Sequence, residues 1–332
     1  MVTISQYASN SLNAGPKAKL DVENILKSEF KSKVHTLKLN GKEDNGKIIN
    51  RIIYLLKKMF FSLRYLHGKD LTIIQFPFLN NLFFTKKLKH KIAFIHDLDG
   101  IRKQDKRIEE REIKFLNTCE GIIAHNNTMK DYLVEKGINK QKIYVLGLFD
   151  YICRTEENND KELYSKTIEI VYTGNLDKAP FLKQIKSEKM NFEMNVYGEL
   201  NGKFENKKIK YKGKYSPDEL PGKIEGNLGL VWDGNFDESD ENEGFKNYTK
   251  YNNPHKFSCY IAAGLPVIVW KKMAISEFVT KENIGYTINS IYDINEIDFK
   301  DYEIKKKNVK EISKKVQNGI YTQNVIKEVL KI

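Results

Sequence analysis

Three side chains at the head of one short segment have the chemistry to hold a phosphate. In the stretch 253–270, NPHKFSCYIAAGLPVIVW, Asn253 is of the type that caps a helix, and Pro254 suits a first helical position because no N–H is needed there. A helix is therefore expected over 254–263, closed by Gly264 and followed after Pro266 by an apolar, β-branched run over 267–270 that reads as a buried parallel strand. The first turn sets His255, Lys256 and Ser258 beside backbone N–H groups at the positive end of a helix dipole, which suits a phosphate or diphosphate. An ordinary surface helix with a solvated lysine has the same spacing, so the neighbouring elements must decide.

A second group lies earlier in the chain. The apolar run 92–95 leads straight into His96, Asp97, Leu98, Asp99 and Gly100. Polar residues at the carboxyl end of a buried strand pack poorly and face the crevice of a parallel sheet, so His96 and Asp97 are candidates for acid–base work. A hydrogen bond that merely closes the loop would use the same two residues.

The elements that position these groups alternate in type. Short apolar segments over 2–5, 34–39, 71–76, 92–95, 121–124 and 143–148 read as strands, with helices expected over 16–30, 47–66 and 128–136. A polar loop, 6–15, ends in Asn13, Ala14 and Gly15 before Pro16 opens the first helix, and a loop of this kind lies at the carboxyl edge of a sheet. The helix over 47–66 is basic and amphipathic, a pattern shared by helices that flank a sheet and helices that lie on anionic membranes. A polar stretch, 151–167, reads as a linker. A second series follows, with strands over 168–172, 192–197, 208–211, 228–232, 267–270 and 285–288. Ser216, Pro217, Asp218 and Glu219 have the pattern of a capped helix start. Helices are also expected over 275–282, 302–317 and 322–331, and residues 233–243, with six acidic side chains, form a solvated loop or a lid. The result is an α/β chain of two doubly wound domains.

At 332 residues the chain is long enough for two domains of about 150 residues each. Lys+Arg 56 against Asp+Glu 44 gives a net charge of +12, which suits polyanionic partners such as nucleic acid, acidic membranes or nucleotide phosphates. The lysines are spread along the chain rather than clustered with stacking aromatics, which disfavours a nucleic-acid binder. Cys119, Cys153 and Cys259 show no CxxC spacing, so neither a disulfide framework nor a structural zinc site is expected, and a reducing cytoplasm fits. No apolar run approaches the roughly 18 residues of a membrane span, and a soluble protein is expected.

Several of these segments together resemble a known family. Thr173-Gly174-Asn175 after a strand, Leu230-Val231-Trp232-Asp233, Lys256, the run from Ala262 to Val269 and Glu277 ahead of Asn283-Ile284-Gly285 are similar to the carboxyl-terminal half of GT-B glycosyltransferases. More narrowly, the chain resembles the bacterial galactofuranosyltransferases and the glucosyltransferases that extend GlcNAc on serine-rich-repeat adhesins, over nearly its whole length and with Phe94 to Asp97 contributing. The resemblance implies a GT-B fold of two Rossmann-like domains facing across a cleft: an acceptor-side domain over 1–152, a nucleotide-sugar domain over 153–316, and a last helix over 317–332 with the option of packing back on the first domain. It further implies that Lys256 meets the diphosphate and that Asn253, Pro254, His255, Phe257 and Ser258 wrap it. Gly174, Asn175, Lys178, Tyr215 and Asp233 are implied near the nucleotide, and Asn13 to Gly15 reach toward the donor. Lys178 stands where some relatives of that family have arginine, which keeps the charge without the bidentate fork.

The activity implied is transfer of a hexosyl group, galactofuranose or glucose, from a UDP-sugar to a glycan, glycolipid or glycoprotein acceptor in cell-surface polysaccharide or glycoprotein synthesis. No cofactor or metal is implied, and Asp97-x-Asp99, which has the form of the DxD of another glycosyltransferase architecture, is set aside because its surroundings belong to a different fold. For an inverting reaction the base is Asp97 or His96, whereas a retaining one needs neither. A UDP-sugar epimerase and a catalytically silent GT-B subunit that binds a partner share the architecture and stand as alternatives. The location implied is cytoplasmic, with room for peripheral contact at the inner face of the membrane and for a homo-oligomer.

Overall fold

A computed structural model of the protein describes residues 1–8, 16–39, 70–78, 88–153, 167–234 and 247–332. The chain divides into two compact units, one of Met1–Gly147 with Thr322–Ile332 and one of Leu148–Tyr321. Each is built on its own six-stranded sheet, and all the strand pairings are parallel.

The first unit runs β1 (Val2–Ala8), α1 (Lys17–Phe30), β2 (Lys33–Leu39), β3 (Thr72–Phe76), β4 (Lys91–Ile95), α2 (Asp99–Arg102), α3 (Lys106–Leu116), β5 (Gly121–Ala124), α4 (Asn127–Glu135) and β6 (Ile143–Val145). The sheet order is β2-β1-β3-β4-β5-β6, so the winding reverses between β1 and β3. Residues of β3, β4 and β5 are buried throughout, as expected of strands covered on both faces. Their near-continuous apolar runs are the reason they are legible as strands.

Helix α3 has no counterpart among the sequence expectations. Its residues, KRIEEREIKFL, are mostly charged, and only Glu112, Phe115 and Leu116 are buried. Asp105 caps it by accepting from the N–H groups of Arg107 at 2.8 Å and Ile108 at 3.2 Å, a signal the sequence does carry. Strand β6 stops at Val145 rather than 148, and Gly147 turns the chain with φ +85°.

The second unit runs β7 (Ile168–Asn175), α5 (Phe181–Gln184), β8 (Phe192–Glu199), β9 (Ile209–Tyr211), α6 (Leu220–Lys223), β10 (Leu228–Val231), α7 (His255–Ala262), β11 (Val267–Trp270), α8 (Ser276–Lys281), β12 (Gly285–Ile288) and α9 (Tyr302–Gln317). Its order, β12-β11-β10-β7-β8-β9, reverses between β7 and β10. Helix α10 (Ile320–Leu330) follows, and from Thr322 onward it belongs to the first unit. There Val329 lies against β5, 3.6 Å from where a Cβ on Gly121 would stand.

Two helix starts differ from expectation. Ser216 to Glu219 form a turn closed by a 2.6 Å bond from Ser216 Oγ to Glu219 Oε2, and α6 begins only at Leu220 and makes a single turn. The pair that would cap a helix instead bonds to itself. Pro254, not Asn253, occupies the N-cap position of α7, and no side chain caps that helix. The expected helix over 47–66 and the Asn13 to Gly15 loop lie outside the described residues, as do most of the linker and of the acidic loop. Among the described residues no helix is long and apolar enough to cross a membrane.

Close approach between α7 and β10 depends on one glycine. The Tyr260 ring lies over Gly229, where an added Cβ would meet Tyr260 Cγ at 2.3 Å and Cδ2 at 2.4 Å. Tyr260 is fully buried, so it has no room to move aside. Gly229→Ala is expected to destabilise the second unit by about 1–3 kcal/mol, the usual cost of overpacking. In thermal unfolding this corresponds to a Tm lower by roughly 2–12 °C.

Candidate functional site

In a doubly wound sheet the crevice opens at the carboxyl ends of the two strands where the winding reverses. In the second unit these are β7 and β10, and Lys256 reaches both. Its Nζ donates to Asp233 Oδ1 at 2.7 Å, to the Trp232 carbonyl at 3.0 Å and to Tyr172 Oη at 3.3 Å, and it sits 4.6 Å from the centre of the Tyr172 ring. The Lys256 side chain is 16% exposed and is drawn inward by these three oxygens. Burial works against the charge, but the Asp233 carboxylate and the Tyr172 hydroxyl outweigh it and hold the ammonium above its ordinary range. Tyr172 in turn is raised by burial, so its hydroxyl stays protonated.

Tyr260 holds this corner together. Its hydroxyl accepts from the Thr173 N–H at 2.8 Å and donates to the Leu230 carbonyl at 3.2 Å, tying α7 to the ends of β7 and β10. Lys256 lies one turn earlier on the same helix. Tyr172 and Tyr260 were not singled out by sequence, because a tyrosine in an apolar strand and another in an apolar helix read as core.

The remaining residues of the capping segment are placed differently from one another. Asn253, Pro254, Phe257 and Ser258 are buried, and Phe257 packs on Phe278 with ring centres 6.4 Å apart. What this segment offers a ligand is chiefly the backbone of an uncapped first turn. His255 stacks on Tyr151 at 4.9 Å with Phe149 edge-on at 6.0 Å, so it is held among aromatic rings.

Gly174 and Asn175 end β7, paired with Gly198 and Glu199 of β8. Gly174 and Gly198 have φ values of +146° and +137°, and a Cβ on Gly198 would fall 1.7 Å from the Gly174 carbonyl oxygen. At these two glycines the rim is backbone alone. Lys178 is exposed, and its N–H donates to Asn175 Oδ1 at 3.2 Å. Tyr215 is 36% exposed with its ring 6.3 Å from that of Tyr197.

In the first unit, His96 and Asp97 follow β4 directly. Asp97 Oδ2 accepts from Arg102 Nη1 at 3.1 Å, Arg102 also bonds Asp99, and Lys103 Nζ meets Asp99 Oδ2 at 2.8 Å. Glu112 of α3 accepts the N–H groups of Asp99 and Gly100, both at 2.9 Å, and so caps α2. Burial pushes Glu112 up to about 7 against the pull of those two bonds, with Asp99 and Asp97 adding to the rise. Lys19, on α1, is lowered to about 8 by burial despite the nearby Asp97 and Glu23 carboxylates, and its Nζ donates to the Pro77 carbonyl at 3.3 Å. Arg102, Glu112 and Lys19 were not singled out by sequence, because nothing in their spacing marks them as neighbours of the segment after β4. Among the described residues no group of three or more His, Cys, Asp or Glu side chains is placed to hold a metal ion.

Known proteins are similar to this chain in architecture and in sequence. Residues 1–148 match the family model described as glucosyltransferase 3-like, N-terminal domain, and residues 170–329 match its C-terminal domain. The chain is 33% identical to beta-1,6-galactofuranosyltransferase WbbI of Escherichia coli (strain K12), over 98% of both chains. It is 26% identical to glucosyltransferase 3 of Streptococcus parasanguinis, over 79% of this chain and 78% of that one. The structure of Anabaena HepE in complex with UDP-glucose superposes with a TM-score of 0.64 at 10% identity, covering 100% of each chain, which speaks to the fold alone. The chain belongs to the glucosyltransferase 3-like family and is a glycosyltransferase of the GT-B fold.

Proposed function

We propose that the protein transfers a hexosyl group, galactofuranose or glucose, from a UDP-sugar to a glycan acceptor in the synthesis of a cell-surface polysaccharide or glycoprotein. The observation that carries this reading is the Lys256 ammonium, held at the β7/β10 reversal beside the uncapped first turn of α7. Two relatives support the choice of sugars, since one is named a beta-1,6-galactofuranosyltransferase and the other a glucosyltransferase. HepE, which shares the fold, was solved with UDP-glucose. The reading has the enzyme in the cytoplasm, with room for peripheral contact at the inner face of the membrane and for a homo-oligomer.

In the proposed reaction the bond between the anomeric carbon and the diphosphate oxygen breaks, and its electron pair leaves with UDP. Negative charge grows on the diphosphate as this happens. A fixed ammonium and the N–H groups of a helix start bind that charge more tightly in the transition state than in the ground state, which lowers the barrier. Asp233 keeps Lys256 charged and in place. Gly174, Asn175, Lys178 and Tyr215 are assigned to the nucleotide side, and Asn253 to Ser258 supply the turn.

The acceptor hydroxyl must lose a proton, and His96 and Asp97 are the groups assigned to it. Asp97 already shares its carboxylate with Arg102. Incubation with UDP-galactofuranose or UDP-glucose, with and without a glycan acceptor, tests the whole reading. UDP release that depends on acceptor supports it; donor turnover without acceptor points to an epimerase, and no turnover of either donor points to a silent subunit.

Two substitutions test the parts. Lys256→Met keeps the apolar stem over Tyr172 and removes the charge, and it is expected to weaken UDP binding by about 1.5–3 kcal/mol, or roughly 10- to 150-fold, in calorimetric titration of the folded protein. Unchanged affinity removes Lys256 from the site. Asp97→Asn can keep a bond to Arg102 while removing the basicity, and is expected to hold UDP affinity within about two-fold while acceptor-dependent turnover falls by about 10². Turnover within a few-fold of the unaltered enzyme would leave the proton to His96.

A further inference from the structure

Behind His96 lies a buried polar seam that the proposed chemistry does not yet use. Gln75 of β3 is fully buried beside the β1/β3 reversal. Its Nε2 donates to the Lys19 backbone carbonyl at 3.1 Å and lies 3.4 Å from Glu23 Oε1. A backbone carbonyl only accepts, so the amide nitrogen must be on that side and the amide oxygen on the other. That oxygen stands 2.7 Å from His96 Nε2. It carries no hydrogen, so the hydrogen in this bond belongs to the imidazole.

We infer that Gln75 is a positioning residue that fixes His96 as the Nε2-protonated tautomer, so that Nδ1 carries the lone pair and accepts from a substrate hydroxyl. The amide is itself held from behind. Glu23 Oε1 accepts from Ser5 Oγ and, at 3.3 Å, from Thr36 Oγ1, and these bonds fix the carboxylate against which the Gln75 nitrogen rests. The His96 ring is held twice more. Its backbone N–H donates to the Phe76 carbonyl at 2.8 Å, carrying the β3/β4 pairing on by one residue, and its ring stacks on Phe94 with centres 5.2 Å apart and planes 24° apart.

A neutral amide is a different anchor from the carboxylate that orients histidine in many hydrolases. A carboxylate would orient the ring and also favour its protonated form, whereas glutamine orients it without adding charge. With the proton on Nε2, Nδ1 can act only as an acceptor, here toward a substrate hydroxyl. This inference rests on the reading of His96 as a site residue, and that hydroxyl is either the donor sugar's or the acceptor's.

The tautomer can be read without activity. Long-range proton–nitrogen correlation spectra of the ¹⁵N-labelled full chain, recorded where the ring is neutral, are expected to show the His96 proton on Nε2; a proton on Nδ1 overturns the proposal. Gln75→Leu is then expected to abolish the Nε2–H preference and to lower catalysis about 10-fold or more, as misplacing a histidine tautomer does elsewhere, with UDP affinity within about two-fold. A folded Gln75→Leu protein with the original tautomer and full turnover also overturns it. If that variant fails to fold, the spectrum of the unaltered chain still decides. His96→Ala separates the sources: weaker binding of UDP-glucose relative to UDP marks a donor hydroxyl, and slower turnover at saturating donor marks an acceptor hydroxyl. If His96→Ala changes neither while the spectrum shows Nε2–H, the role of His96 in the reaction is overturned, and the assignment of its tautomer to Gln75 is upheld by its loss in Gln75→Leu.

Discussion

A nearly buried ammonium group remains charged only where oxygen atoms replace the water it has lost. At Lys256 those oxygens come from two places in the chain: Tyr172 in β7, and the Trp232 carbonyl and Asp233 carboxylate just after β10. They converge only because the winding of the sheet reverses between β7 and β10 and leaves their carboxyl ends side by side. Tyr260 keeps the helix bearing Lys256 in register with both strands, and Gly229 makes room for Tyr260. The pairing of one charge thus accounts for much of the packing around it.

The first unit solves a different problem. The segment after β4 is acidic, with Asp97, Asp99 and, packed on it, Glu112. Arg102 and Lys103 offset part of that charge, and the N–H groups of Asp99 and Gly100 receive Glu112. Ion pairs and caps thus act beside the buried Leu98 and Ile101, with Asp97 and Arg102 partly exposed and Asp99 and Glu112 buried. Gly100 contributes directly, since a Cβ there would lie 2.4 Å from the Cα of Glu109 on α3.

Strands were legible wherever burial on both faces demanded an unbroken apolar run, as in Val267–Trp270, which begins and ends where hydrophobicity places it. Helix α3 was not, because a helix that buries only three side chains has little apolar period to show. The start of α7 was misplaced by one residue for a related reason. Asn253 has the type of an N-cap, but it is buried and its neighbour Pro254 takes that position. Lys256 could be picked out because its helix start, turn and strand are contiguous in sequence. Its partner Tyr172 is 84 residues away, and Gln75 lies 21 residues before His96, so those pairings exist only once the sheets form. Side-chain chemistry at strand ends is local information; which strand ends become neighbours is not.

The first unit is discontinuous in sequence, and this matters while the chain is being made. Met1–Gly147 leaves the ribosome before any of Leu148–Tyr321, yet the segment Thr322–Ile332 that completes it, with Val329 against Gly121, is translated after the whole second unit. At about 5–20 residues per second, the intervening stretch takes on the order of 10–35 s to synthesise. During that interval the β5 side of the first sheet lacks its closing helix. Completion of the amino-terminal half thus becomes a late event, timed by translation of the other half.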